Sequence, residues 1–271
     1  MAERPPLFLD ACANLLHESY EHDREEVIAR ARAANVAGFL VPGSTLEESL
    51  RAADLHRRHP ARVWVTAGCH PHHAAAWSDE TLRGLESALD HPGVVGVGEC
   101  GLDYFRLLSP RAEQERAFTE QLALAQRRGR PLLLHVREAH ADFLALWREA
   151  GLPAERALVH CFTGTAAELE ALLSEGFTVG LTGWICDERR GAHLLPLLTT
   201  IPRSRLVVET DCPYLLPRDL RPRPRAGRNE PAFLPHIAAV VARAWKTDLE
   251  DVAAATTANL RRLFDLPQPV P

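Results

Sequence analysis

Long apolar runs are missing from this chain: its longest stretches, such as residues 233–241, are interrupted and fall far short of a membrane span. No charged leader precedes an apolar signal core, so a cytoplasmic protein that makes no membrane contact is expected. The six cysteines (Cys12, Cys69, Cys100, Cys161, Cys186 and Cys212) contain no C-x-x-C pair. Without a secretory signal they are expected to be reduced thiols rather than a disulfide framework. An excess of positive charge is absent as well. The 31 Lys and Arg against 36 Asp and Glu leave a net charge of −5, which argues against non-specific coating of nucleic acid. A local basic patch can still steer a polyanion into one cleft. No Gly/Ser linker, low-complexity tract or short repeat divides the chain, so residues 1–271 are expected to form one domain.

What is present is an alternation. Short apolar runs at residues 7–12, 38–41, 63–68, 94–99, 131–136, 157–162, 178–183 and 206–211 are separated by amphipathic segments rich in Ala, Leu, Arg and Glu. One of these segments, residues 111–128, places Phe118, Leu122 and Ala125 at helical spacing. Ser44-Thr45 and Ser109-Pro110 mark helix starts, and Gly129 and Gly151 mark helix ends. Eight βα units in about 250 residues is the size of a TIM (β/α)8 barrel, with a doubly wound open sheet as the competing architecture. The irregular stretch at 213–228, with four prolines and five arginines, follows the last strand and would lie at the barrel mouth.

Glu99, His135, His160 and Asp211 stand at the downstream ends of four runs, VVGVGE, PLLLH, ALVH and LVVETD. In a closed parallel barrel such ends converge on one mouth, which favours closure. Mixed imidazole and carboxylate there can hold a divalent cation, which predicts a metal-dependent hydrolase. Glu99 lies among glycines that let the backbone turn and approach a ligand closely. Asp211 can both ligate metal and take a proton from an attacking water, whereas Glu209, one layer deeper on the same face, would orient neighbours.

The run His70-Pro71-His72-His73 ends the third strand, where imidazoles can donate to phosphate oxygens or protonate a leaving group. Arg137, two residues past His135, can grip phosphate bidentately or else pair with Asp10 or Glu209. The arginines at 218, 221, 223, 225 and 228 form either a basic strip tracking a nucleic-acid backbone or plain solvated charge. Tyr104, Phe105, Phe162, Trp184 and Tyr214 can stack on unpaired bases or pack in the core. Cys100, Cys161 and Cys212 each follow a proposed ligand, and Cys69 precedes His70. Because adjacent strand residues face opposite ways, these four are expected to pack outward, leaving Cys12 to reach the mouth.

Six short motifs occur in order: G-x-H-P-H at 68–72, G-E-C-G-L-D-Y at 98–104, H-x-R at 135–137, H-C-F-T-G at 160–164, E-T-D-x-P-Y-L at 209–215 and N-E-P at 229–231. Together they resemble the TatD family of metal-dependent deoxyribonucleases, and the likeness runs from about residue 8 to residue 265. The blocks at 182–191 and 214–220 are similar to bacterial members in particular. The resemblance implies a TIM-barrel 3′ to 5′ exonuclease that uses magnesium on single-stranded DNA and RNA, in DNA repair or nucleic-acid turnover. Manganese or zinc would suit the two histidines better by ligand chemistry alone.

Carried over by motif, Glu99, His135, His160 and Asp211 would hold metal, with Asp211 and Glu99 catalytic. His70, His72, Arg137 and Asn229 would face substrate. A monomer is expected. The wider family opens with D-x-H-x-H, whereas this chain reads Asp10-Ala11-Cys12-Ala13-Asn14. A thiol and an amide are poor ligands for a hard cation. One firm metal position built from Glu99, His135 and His160, with a weaker second one near Asp211, is therefore expected. Hydrolysis of an amide, ester or lactone on a related metal barrel, and a non-catalytic binding module, are the competing functions.

Overall fold

A computed structural model describes residues 7–224 and 227–268. Every apolar run becomes a strand: β1 (Phe8–Asp10), β2 (Val36–Val41), β3 (Val63–Ala67), β4 (Val94–Asp103), β5 (Leu132–Arg137), β6 (Ala157–Val159), β7 (Thr178–Leu181) and β8 (Leu206–Val208). They lie side by side in chain order, all neighbours parallel. The ring is completed by backbone bonds across the β8 and β1 ends. Ala11 N donates to Val208 O at 3.3 Å, Asp211 N to Cys12 O at 2.9 Å and Asn14 N to Cys212 O at 3.0 Å. The architecture is the expected TIM barrel, and the open doubly wound sheet is excluded by this order and closure.

Outside the strands stand α1 (Arg24–Ala33), α2 (Leu46–Arg58), α3 (Asp79–Ala88), α4 (Arg111–Arg128), α5 (His140–Ala150), α6 (Ala166–Glu175), α7 (Leu234–Trp245) and α8 (Leu249–Phe264). The sequence signals act as expected at most ends. Thr45 accepts the Glu48 amide as the N-cap of α2, and Gly129 and Gly151 take the left-handed conformation that ends α4 and α5. Ser109-Pro110 stands directly before α4 as expected, with no side-chain cap there. The Ser109 hydroxyl donates to His72 O and accepts from Ala75 N, tying the turn after β3 to the start of α4 rather than capping that helix.

One βα unit also differs from the expected pattern. Between β7 and β8 the described chain makes 3-10 turns, Gly183–Cys186 and Ala192–Thr199, in place of an α-helix. Pro196, inside the second turn, has no N–H for an i to i−4 bond and clashes with a preceding carbonyl.

The core has two layers. Inside the barrel, Leu9, Leu40, Trp64, Leu133, Leu158 and Val207 meet Leu260, Leu263 and Phe264 of α8, so the last helix closes the bottom. Between strands and helices lies the larger cluster, which includes Phe39, Phe118, Phe143, Trp147 and Phe177. Each such side chain contributes about 1.5–3 kcal/mol on burial. This layering sets the parity of the mouth. Leu133 and Leu158 point inward, so His135 and His160, two residues further along, point inward as well.

Candidate active site and metal centre

Glu99 reaches the mouth through a backbone that only glycine permits. Gly98 has φ +135° and Gly101 φ +143°, and a Cβ would sit 2.3 Å from Leu133 O at the first and 1.9 Å from His135 O at the second. These glycines let β4 run against β5 closely enough to bring the carboxylate between neighbouring imidazoles. Glu99 Oε1 is 2.8 Å from His160 Nε2, 3.1 Å from His135 Nδ1 and 3.2 Å from His70 Nε2. Three strands and the turn after β3 thus place three rings around one buried oxygen.

The electrostatics follow from that crowding. Burial works to raise the Glu99 pKa, but the charge of His160 and hydrogen bonds from His135 and His160 carry it well below the carboxylate range. Burial works against a charged His160, yet Glu99 and then Cys12 and Glu209 hold it well above the usual imidazole value. His70 goes the other way: burial dominates and lowers it to about 4.

Asp103, at the end of β4, is a site residue that the sequence reading gave no role. Its Oδ2 lies 2.7 Å from His72 Nε2 and 3.4 Å from His135 Nε2, and the side chain is buried. Hydrogen bonds from His135 and His72 overcome its burial and lower its pKa. The available signal was position: Asp103 stands four residues past Glu99 on the same strand, beyond the Gly101 that admits β5.

The opposite side of the mouth is built from β8 and β1. Asp211 has φ +50°, a left-handed backbone that costs an aspartate on the order of 1 kcal/mol and aims its side chain at the strand-one segment. Asn14 Nδ2 donates to Asp211 Oδ1 at 2.9 Å. Burial raises the Asp211 pKa to about 7, opposed by His160 and Asn14 and reinforced by Glu99 and Glu209. Asp10 is sealed beneath it, accepting from Thr210 N at 2.9 Å and Thr210 Oγ1 at 2.5 Å, and burial raises its pKa to about 8. Glu209, fully buried, accepts the Cys161 amide and faces His160 Nδ1 at 3.7 Å, which is the orienting position expected of it.

The ligand-type atoms fall into two groups at the mouth, His70 with Glu99 and His135, and Cys12 with His160 and Asp211. His160 stands between them, 2.8 Å from Glu99. Both groups suit a divalent cation. Three imidazoles share one carboxylate oxygen, while the other nitrogens of two of them are buried with only long contacts, His135 Nε2 at 3.4 Å from Asp103 and His160 Nδ1 at 3.7 Å from Glu209. A purely structural polar core would hold those nitrogens in shorter, well-aligned bonds.

Several residues lie elsewhere than expected. Asn229 is completely buried: its Nδ2 donates to Thr210 O and its Oδ1 accepts from Glu230 N, so it fixes the backbone next to Asp211 and does not face substrate. Arg137 makes no ion pair with Asp10 or Glu209; its guanidinium lies over the Phe105 ring, 3.9 Å from the centroid. The basic strip is broken up. Arg228 is tied to Asp23 and Glu230 over the Tyr20 ring, Arg218 pairs with Glu188 at 3.0 Å, and Arg221 donates to backbone carbonyls. Arg225 lies outside the described residues.

Among the aromatics, Phe162 belongs to the core, while Phe105 (52 % exposed) and Tyr214 (53 % exposed) are open. Cys69, Cys100 and Cys212 pack in the outer apolar layer. Cys161 does not: with φ +48° it is half-buried, its thiol 3.7 Å from Thr182 Oγ1, because the left-handed turn breaks the strand alternation.

Among the described residues no helix is long and apolar enough to cross a membrane. Of solved structures, a TatD family hydrolase from Entamoeba histolytica superposes with a TM-score of 0.88 at 24% identity, covering 97% of this chain and 99% of that one. A TatD homologue from Escherichia coli superposes at 0.86 with 27% identity, covering 96% and 98%. A relative from Erwinia tasmaniensis named 3′-5′ ssDNA/RNA exonuclease TatD is 49% identical over 257 residues, 95% of this chain and 99% of its own length. The family described as TatD related DNase matches residues 9–265, which take in both arcs of the mouth and the helix that closes the barrel below. The chain therefore belongs to the TatD family of related DNases.

Proposed function

We propose that this protein is a metal-dependent exonuclease that hydrolyses phosphodiester bonds of single-stranded DNA and RNA from the 3′ end, in nucleic-acid turnover or DNA repair. The observation that carries this reading is the gathering at one mouth of a half-buried acid, Asp211, grouped with His160, and a buried carboxylate, Glu99, ringed by imidazoles. The strong likeness to relatives named for that activity supports it. In this reading residues 1–271 form one catalytic domain that works as a cytoplasmic monomer.

Divalent cations, magnesium in the first place with manganese or zinc as alternatives, would be held by Glu99 and His135 in one group and by His160 and Asp211 in the other, and would supply Lewis-acid polarisation of the scissile phosphate. Asp211 accepts the proton of the attacking water. Its Oδ1 is engaged by Asn14, which leaves Oδ2 as the oxygen that takes that proton. Glu99 stays ionised because imidazoles surround it, and Glu209 fixes the ring of His160 from below. His70 enters as a neutral ring.

His72, held by Asp103, and Arg137 at the next strand end bind non-bridging phosphate oxygens. Phe105, with Arg137 on one side and half its surface open, offers a platform for an unpaired base. That pairing of a phosphate-binding cation with a stacking face favours nucleic acid over an amide, ester or lactone. The test is digestion of 5′-labelled single-stranded DNA and RNA oligomers with magnesium. A ladder shortening from the 3′ end with release of nucleoside 5′-monophosphates is expected. Shortening from the 5′ end, or intact oligomers, would overturn the proposal.

A further inference from the structure

Away from the two ligand groups of the mouth, a third set of metal-binding side chains comes together on the rim. Cys186 ends the 3-10 turn after β7, Asp219 lies in the loop of residues 213–228, and His236 sits in the first turn of α7. Their ligand atoms lie within 4.8 Å of one another, and none of the three belongs to either group at the mouth. His236 Nε2 is 2.7 Å from Asp219 Oδ1, both partly exposed, while Cys186 is 5% exposed beneath them. The three come from separate segments, 33 and 17 residues apart in the chain, so no local spacing announces them.

We propose that Cys186, Asp219 and His236 form a further cation site, for a zinc-type divalent ion, which fastens the segment of residues 213–224 to the barrel rim. The donor set decides the class of ion. One sulfur, one imidazole nitrogen and one carboxylate oxygen match a borderline-soft ion with three protein ligands and one open position. Magnesium and calcium prefer oxygen alone, so this site is chemically distinct from one that would take a hard cation. On binding, the Cys186 thiol gives its proton to solvent and the imidazole binds in its neutral form, with no redox change. Burial and then Asp219 push the Cys186 thiol up to about 12, opposed by Arg243 further along α7, so the thiol keeps its proton until a cation displaces it.

The surrounding contacts show what such a site would hold. A Cβ on Gly183 would meet Leu215 O at 2.1 Å, so the loop already lies directly on the 3-10 turn. Arg218 adds a bond to Glu188 at 3.0 Å from the same side. The loop also carries Tyr214, 53% exposed at the mouth. A three-ligand clamp at Asp219 would therefore fix the segment that borders substrate entry.

The test uses the full-length protein and metal alone. Zinc bound per chain, measured after equilibrium dialysis, should fall by one equivalent in Cys186→Ala and in His236→Ala. Cobalt(II) should give the wild type a thiolate charge-transfer absorption that both variants lose and that Cys12→Ala, altered at the mouth, keeps. Zinc should slow tryptic cleavage after Arg218, whose neighbour is not proline, in the wild type at least tenfold more than in His236→Ala. His236 is partly exposed, so this variant keeps the test valid if Cys186→Ala fails to fold. Equal zinc content in wild type and His236→Ala, or an absorption that disappears only with Cys12→Ala, would overturn the site. Equal protection of wild type and His236→Ala would overturn the clamp.

Discussion

The two arcs of the mouth each hold a pair of carboxylates, all buried except the half-buried Asp211, and treat them in opposite ways. On the β3 to β6 arc, Glu99 is enclosed by His70, His135 and His160, and Asp103 by His72 and His135; both acids are held ionised. On the β8 to β1 arc, Asp10 and Asp211 are hydrogen-bonded by the neutral groups of Thr210 and Asn14, and their pKa values rise to about 8 and about 7. Burial penalises charge on both arcs, and only adjacent imidazoles reverse it. The strand-one sequence explains the asymmetry. Cys12 and Asn14 bring a thiol and an amide to it, so this arc has no cation of its own beside His160. One arc is thus a ready anionic ligand set and the other a proton acceptor poised near neutrality.

The largest expected effect is on the imidazole arc. Glu99→Gln removes the anion that three rings share, and turnover of a labelled oligomer should fall roughly 10³-fold. Retention of activity to within tenfold would mean that the chemistry does not depend on this arc. Next comes the acid arc: Asp211→Asn should lower kcat by about 10²-fold. In the wild type, kcat/KM should climb as pH rises through about 7, where Asp211 loses its proton, and Asp211→Asn should lack that limb. A limb that persists in the variant would assign the ionisation to another group.

The smallest effect concerns stability. The folded pKa of Asp10, about 8, lies above its unfolded value, so its contribution is complete below about pH 4 and lost as pH rises through about 8. Urea unfolding at pH 5.5 and 8.5 should show a smaller pH-dependent loss for Asp10→Asn than for the wild type. Identical losses in both would show that Asp10 is ionised throughout and that the arcs do not differ as described.

Much of this was legible from residue order. Runs such as PLLLH and ALVH state both the strand and the parity of its terminal histidine, and Phe118, Leu122 and Ala125 state the inner face of α4. The misplacements have one cause: a linear pattern gives which face a residue takes, not which other strand end it meets. His70 was expected at substrate, and the ring geometry brings it to Glu99. Asp103 had no role until β5 was seen to lie beside it. Asn229 and Arg228 carry groups typical of binding, but Thr210, Asp23 and Glu230 consume them inside the protein. The strand alternation that sends Cys69, Cys100 and Cys212 outward fails at Cys161, where a left-handed residue turns the chain.

The sequence by itself determined the eight-fold βα rhythm, the ligand-type residues at the strand ends and the family. Apolar periodicity and glycine placement are local properties that survive without knowledge of the neighbours. Tertiary structure alone decided the protonation of each acid, the division of the mouth into two ligand groups and the meeting of Cys186, Asp219 and His236 on the rim. Those depend on distances of a few ångströms between segments far apart in the chain, and the closure of the barrel sets them.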